Sequence, residues 1–164
     1  MKPILTFFTS ILISVSSIDA ATENRQFSLK TKPIGKAQYK GDAITQTRQL
    51  EVEVSRSGKD PSKKLTAIWK IYGHERKNHK LILIKSGTLT YNLKGGERVT
   101  QTTPTVTIKG VRKHKKTTST GRGKNKRRRT VTVPASGQEY YGYSVKVKLG
   151  AETVSEYASK PSLK

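Results

Sequence analysis

Apolar and polar residues alternate one for one along much of this chain. Leu50, Val52 and Val54 alternate with Glu51, Glu53 and Ser55, the period-two signature of a strand with one buried face. The same period runs through Leu65, Ala67, Trp69 and Ile71, through Leu89, Tyr91 and Leu93, and through Tyr141, Tyr143, Val145, Val147 and Leu149. Helical spacing is nowhere sustained. Between these runs stand turn formers: Ser57 to Pro61, Lys94 to Glu97, Pro134 to Gly137, and Gly150. There glycine admits positive φ and proline removes a donor. Short strands separated by such turns predict an all-β fold, an antiparallel sandwich of about seven strands. An OB-type barrel of five strands is the alternative, and the strands are too many for it.

Three positions within residues 45–158 resemble the cysteine-free immunoglobulin-like and fibronectin type III-like domains of secreted bacterial proteins. Trp69 follows the Leu50 to Val54 strand as the core tryptophan of the third strand does, and Tyr143 stands two residues before Val145, like a tyrosine corner. Gly137 to Val145 carries most of this resemblance. It implies that Val52 or Val54 faces Val145 across two sheets in place of a disulfide. It is a likeness of fold and carries no activity.

The first twenty residues change the compartment. Lys2 gives a positive start, Ile4 to Val15 form an apolar stretch containing Phe7, Phe8, Ile11 and Leu12, and Ala20 is a small residue suited to cleavage. Residues 1–20 therefore read as a signal peptide, too short and too rich in Ser and Thr to span a membrane. Residues 21–164 follow as a single sandwich domain, secreted or periplasmic and without a transmembrane segment. The chain has no cysteine, so disulfides, thiolate metal sites and lipoprotein-type lipidation are excluded. Its own core must hold it.

Charge then dominates the functional reading. The formal net charge is +22, a field that favours nucleic acid, anionic lipid, lipopolysaccharide or acidic polysaccharide as partners but says nothing of fold. Half of it lies in residues 109–129, which hold eleven bases and no acid: Lys109, Arg112, Lys113, Lys115, Lys116, Arg122, Lys124, Lys126, Arg127, Arg128 and Arg129. In a cytosolic chain this run would suggest a nuclear-import or nucleic-acid arm. Behind an export signal it reads as a polyanion-binding insertion, a loop or protruding hairpin. In the hairpin version Thr105 to Lys116 pairs with Lys124 to Val133, Val106, Ile108, Val131 and Val133 anchor the base in the core, and the tip is disordered. Arginine forks suit phosphate and sulfate, and lysine adds point charge. With no aromatic residue for stacking beyond His114, the run predicts binding that is salt-sensitive and blind to base sequence. The bland reading is a solvated loop that serves solubility, leaving the sandwich edges to contact a protein partner.

No catalytic set is legible. His74, His79 and His114 lack metal-ligand spacing, and Asp42 and Asp60 sit in turns. Glu51 and Glu53 share a face but are flanked by Arg48 and Arg56, the mark of a solvated strand face. Gly121 to Asn125 departs from a phosphate loop, with Thr118 where that motif has Gly and Asn125 where it has Ser or Thr. The sequence predicts a binding domain rather than an enzyme, with no cofactor and no metal. Adjacent Tyr140 and Tyr141 must face opposite ways, and Tyr140 is expected on the face away from Tyr141 and Tyr143, beside Lys146 and Lys148. There it reads as a carbohydrate or protein contact, or as a ring that covers the lysine stems.

Overall fold

The alternating segments do form strands. The computed structural model describes residues 26–121 and 127–164, so the expected signal peptide at 1–20 lies outside the described residues. The strands are β1 (Phe27–Lys40), β2 (Ala43–Arg56), β3 (Lys63–Glu75), β4 (Leu81–Leu93), β5 (Arg98–Thr102), β6 (Val106–Val111), β7 (His114–Thr120), β8 (Arg127–Val133), β9 (Ser136–Leu149) and β10 (Glu152–Ala158). A 3-10 turn, Pro161–Leu163, follows β10. Among the described residues no helix is long and apolar enough to cross a membrane.

Eight strands make two antiparallel layers. In the first, β1 pairs with β2 along its whole length, and the other edge of β2 is shared by β6 over Ala43–Arg48 and β5 over Glu51–Ser55. Pro104 breaks that edge because it lacks a donor. Buried Thr103 mends the break: its N–H donates to Leu50 O and its Oγ1 accepts from Leu50 N–H, both at 2.9 Å. The second layer runs β4-β3-β9-β10. β1 approaches β10, β5 approaches β4, and the layers join at one corner where Gly110 and Val111 pair with Gly137 and Ser136.

The core lies between the layers and is built from the inward rows of the alternation. Leu50, Val52 and Val54 of β2 meet Leu65, Ala67, Trp69 and Ile71 of β3 and Tyr143, Val145 and Val147 of β9. Burying these side chains drives folding at about 25 cal/mol per Å² of apolar surface. Two phenols bridge the layers: Tyr91 OH donates to Val52 O at 2.9 Å, and Tyr143 OH shares a hydrogen bond with Thr31 Oγ1 at 3.1 Å. Burial pushes the Tyr91 phenol up to about 12 and raises those of Tyr140 and Tyr143. Trp69, 2 % exposed, lies across Gly87 of β4, where a Cβ would stand 2.6 Å from ring carbon Cζ2.

One charge continues the inward row of β2. The Arg56 side chain is fully buried. It bonds Asp60 Oδ2 at 3.2 Å, Leu93 O at 3.4 Å and Pro61 O, and lies over the Phe27 ring. A buried guanidinium is tolerated only with such partners, and here they tie the 57–62 turn to β4.

The tyrosines of β9 depart from expectation. Opposite Tyr72 and Gly73 the register jumps from Gly142 to Tyr140, and such a bulge breaks the alternation. Tyr140 packs against the core and accepts the Arg48 guanidinium over its ring at 4.7 Å. Tyr141 turns outward instead, against the His74 ring and beneath Lys160 Nζ.

Candidate functional site

The basic segment divides between two elements. Lys109 lies on β6, exposed and paired in register with Thr45 of β2, so it belongs to the sandwich. Beyond it β7 and β8 form a separate two-stranded ribbon, His114 pairing with Val133 and so on to Thr120 with Arg127. Six steps of about 3.4 Å make a ladder of about 20 Å. The expected pairing of Thr105 to Lys116 with Lys124 to Val133 is therefore corrected, because β2 claims Val106–Val111. Val131 does not anchor the base either: it lies in the ribbon, 46 % exposed. Val106 and Ile108 are core residues as expected.

Pairing register sorts the ribbon's cations by face. Lys116, Arg127 and Arg129 share one face with Val131, Thr118 and Thr120, while Lys115 and Arg128 share the other with Thr117, Thr130, Thr132 and Ser119. Arg127 and Arg129, two residues apart, stand about 7 Å from one another along the strand. Thr117 and Thr130 join hydroxyls at 2.9 Å, and Thr118 Oγ1 donates to Arg129 O at 3.3 Å. Such cross-strand pairs hold a ribbon that has no core of its own. Arg122, Lys124 and Lys126 lie outside the described residues.

The root of the ribbon is fastened to the β1–β2 turn. Arg112 N–H donates to Asp42 O at 2.8 Å, and its guanidinium lies 4.6 Å above the ring of Tyr39, which is 58 % exposed. His114 Nδ1 stands 3.0 Å from Arg112 O and 3.7 Å from Asp42 Oδ2. On the other side Arg76 N–H donates to Gly137 O at 2.9 Å. A groove of about 570 Å³ opens there, lined by Arg112, Lys113, Arg76, Lys77 and His79, with Glu139 on Arg76 at 3.1 Å.

Several acids elsewhere are paired with bases: Glu53 with Lys30 and Arg98, Asp60 with Arg56, Glu156 with Lys146. Among the described residues no carboxylate lies within ion-pairing distance of Lys113, Lys115, Lys116, Arg127, Arg128 or Arg129. The ribbon presents its positive charge uncompensated. Sequence reasoning missed Arg76, Lys77 and His79, which lie far from the basic run in sequence and reach it only through the corner where β6 meets β9. Among the described residues no three His, Asp or Glu side chains gather as a metal site would require.

No family model matches this chain, and no curated protein matches it. A crystal structure from Akkermansia muciniphila is similar to it at a TM-score of 0.43 and 13 % identity, over 82 % of this chain and 69 % of that one.

Proposed function

We propose that this protein is a secreted or periplasmic, non-enzymatic binding domain whose cationic ribbon contacts an anionic polymer or envelope surface. The observation that carries the reading is the β7–β8 ribbon itself, outside the sandwich, where among the described residues Lys115, Lys116, Arg127, Arg128 and Arg129 have no carboxylate within ion-pairing distance. A strand spacing of about 7 Å between like-facing arginines suits successive anionic groups of a polymer. The paired arginine forks and lysine point charges take phosphate, sulfate or carboxylate without reading sequence. The groove at the root, with Arg76 and Lys77, extends the same field onto the sandwich. Polysaccharide, lipopolysaccharide and nonspecific nucleic acid share the required chemistry. The export signal at 1–20 favours the first two.

The sandwich fits an immunoglobulin-like reading. β1, β2 and β5 share one layer and β3, β9 and β10 the other, as strands A, B, E and C, F, G do, while β4 takes the place beside β3 that variable-type domains give to an extra strand. Trp69 on the third strand and Tyr143 beside Val145 support it. Tyr143 differs from a tyrosine corner in bonding the Thr31 side chain rather than nearby backbone.

Binding to heparin, lipopolysaccharide and duplex DNA, titrated from 50 to 300 mM salt, tests the proposal with wild type and an Arg127→Ala, Arg128→Ala, Arg129→Ala variant. The variant should weaken every polyanion and reduce the log–log salt slope by about one for each of these arginines that meets a phosphate. Equal affinity and slope in the two proteins would remove the ribbon from the binding element. A second reading, a structural module that contacts a protein partner, is favoured by the outer edge of β4. There Leu81 and Leu83 are 42 % and 52 % exposed, and exposed apolar edge strands recruit further strands.

A further inference from the structure

A second cluster of cations lies on another surface, the outer face of the β4-β3-β9-β10 layer. Ile68, Lys70 and Tyr72 point outward from β3, and Ser144, Lys146 and Lys148 from β9. Over them folds the C-terminal segment. Gly142 makes that docking feasible, since a Cβ there would stand 2.6 Å from Ser159 Oγ and 2.8 Å from Leu163 Cδ1. Ser159 is then stitched to β9, donating its N–H to Tyr143 O at 2.9 Å and accepting Tyr143 N–H at its Oγ at 2.8 Å. Leu163 is buried, and the Pro161–Leu163 turn becomes the wall of a cleft of about 320 Å³.

The lining divides by chemistry. Ile68, Leu163 and Tyr72 bring apolar surface to the lining. Lys146 is engaged by Glu156 at 3.0 Å, but Lys70, Lys148 and Lys164 have no acid within ion-pairing distance among the described residues. Unpaired ammonium groups around a half-apolar cleft attract an anion with a body, and the volume falls at the lower end of small-ligand sites. The Ser144 and Tyr72 hydroxyls add polar partners for a ring bearing several hydroxyls.

We infer that this cleft binds a single sugar unit carrying a phosphate or sulfate ester, the ring lying against Tyr72, Ile68 and Leu163 and the ester held by Lys70 with Lys148 or Lys164. The site is independent of the ribbon. It takes one unit where the ribbon takes a chain, and uses none of the ribbon's residues.

The test is an amide NMR titration of the whole protein at 100 mM salt with glucose 6-phosphate, glucose 6-sulfate, inorganic phosphate and glucose. One of the two esters should shift amides of residues 68–72 and 144–148 saturably and bind at least ~10-fold more tightly than inorganic phosphate or glucose, the step equivalent to one good charge-assisted contact. The two esters distinguish phosphate from sulfate as the natural group. Lys70→Ala, a surface change that leaves the fold intact, should weaken the ester by ~5-fold or more, and so should whichever of Lys148→Ala and Lys164→Ala removes its second ammonium. The ribbon triple variant should bind it as wild type does, so failure of the ribbon reading leaves this result standing. Equal affinity for inorganic phosphate and both esters, unchanged binding in Lys70→Ala or in both Lys148→Ala and Lys164→Ala, or shifts confined to residues 112–133 would each overturn the inference.

Discussion

Gly87→Ala should destabilise the sandwich although it adds only one methyl group on a strand where alanine is the better residue by about 0.5–1 kcal/mol. The reason is Trp69. An added Cβ stands 2.6 Å from Cζ2 and 2.8 Å from Cε2, whereas carbon atoms rest about 3.5–4.0 Å apart. The ring must therefore retreat by about 1 Å, and it is 2 % exposed among Leu, Val and Ile neighbours of the core. Overpacking of this kind costs about 1–3 kcal/mol, leaving a net loss of about 1–2 kcal/mol after the propensity gain. For a domain of this size that is about 2–8 °C of Tm. The chain has a single tryptophan, so urea unfolding followed by Trp69 fluorescence reads the perturbed site directly. A Trp69→Leu background, followed by circular dichroism, should abolish the penalty, giving a coupling of about 1 kcal/mol or more in the double-mutant cycle. Gly87→Ala as stable as wild type, or an equal cost in both backgrounds, would refute the contact argument.

Other expectations rest on the bridging phenols, the buried arginine and the ribbon. Because burial raises the folded-state Tyr91 phenol to about 12, its stabilising share is complete below the unfolded value of about 10 and is lost as pH climbs through 10 to 12. Tyr91→Phe should accordingly cost about 1 kcal/mol at pH 7, for the hydrogen bond to Val52 O, and show a shallower alkaline decline in urea midpoints. Arg56→Ala should cost about 2–4 kcal/mol by chemical denaturation, since it empties a buried volume and frees the Leu93 and Pro61 carbonyls. Arg56→Met should recover part of that loss by refilling the volume. Brief trypsin treatment should cut first between Lys113 and Arg129, where β7 and β8 lie outside the core, and leave the sandwich as a stable product by mass spectrometry.

What the sequence made legible follows from how evenly each strand is buried. β2, β3 and β9 lie mid-layer with one face on the core, so their alternation is plain. β1 gives no such signal because only its first residues touch the core: Phe27 is buried and Leu29 packs at its margin, while from Lys32 onward it is an exposed edge carrying Pro33, where proline is tolerated. The first half of β4 reads Leu81-Ile82-Leu83-Ile84, a continuous apolar run that periodicity cannot parse, and a bulge opposite Ile71 and Tyr72 breaks its parity. A second bulge reverses the expected faces of Tyr140 and Tyr141. Charge composition locates the ribbon but not its register, because the valines expected to set it, Val106 and Val131, pair with different strands. The root groove and the lysine cleft depend on contacts between distant segments, and no local pattern encodes those.

The corner joining the two layers carries a final consequence. Gly110 and Gly137 face one another there: a Cβ on the first would stand 2.6 Å from Gln138 O, and one on the second, whose φ is +77°, 2.6 Å from Lys109 O. Any side chain at either position separates the strands from which the ribbon springs. Tolerance to mutation should therefore run opposite to conspicuousness. In a saturation library selected only for folding, the ribbon's arginines and lysines should accept nearly every replacement, while these two inconspicuous glycines accept almost none. Ribbons of other length and charge can thus be exchanged on an unchanged sandwich as long as that seam is inherited intact.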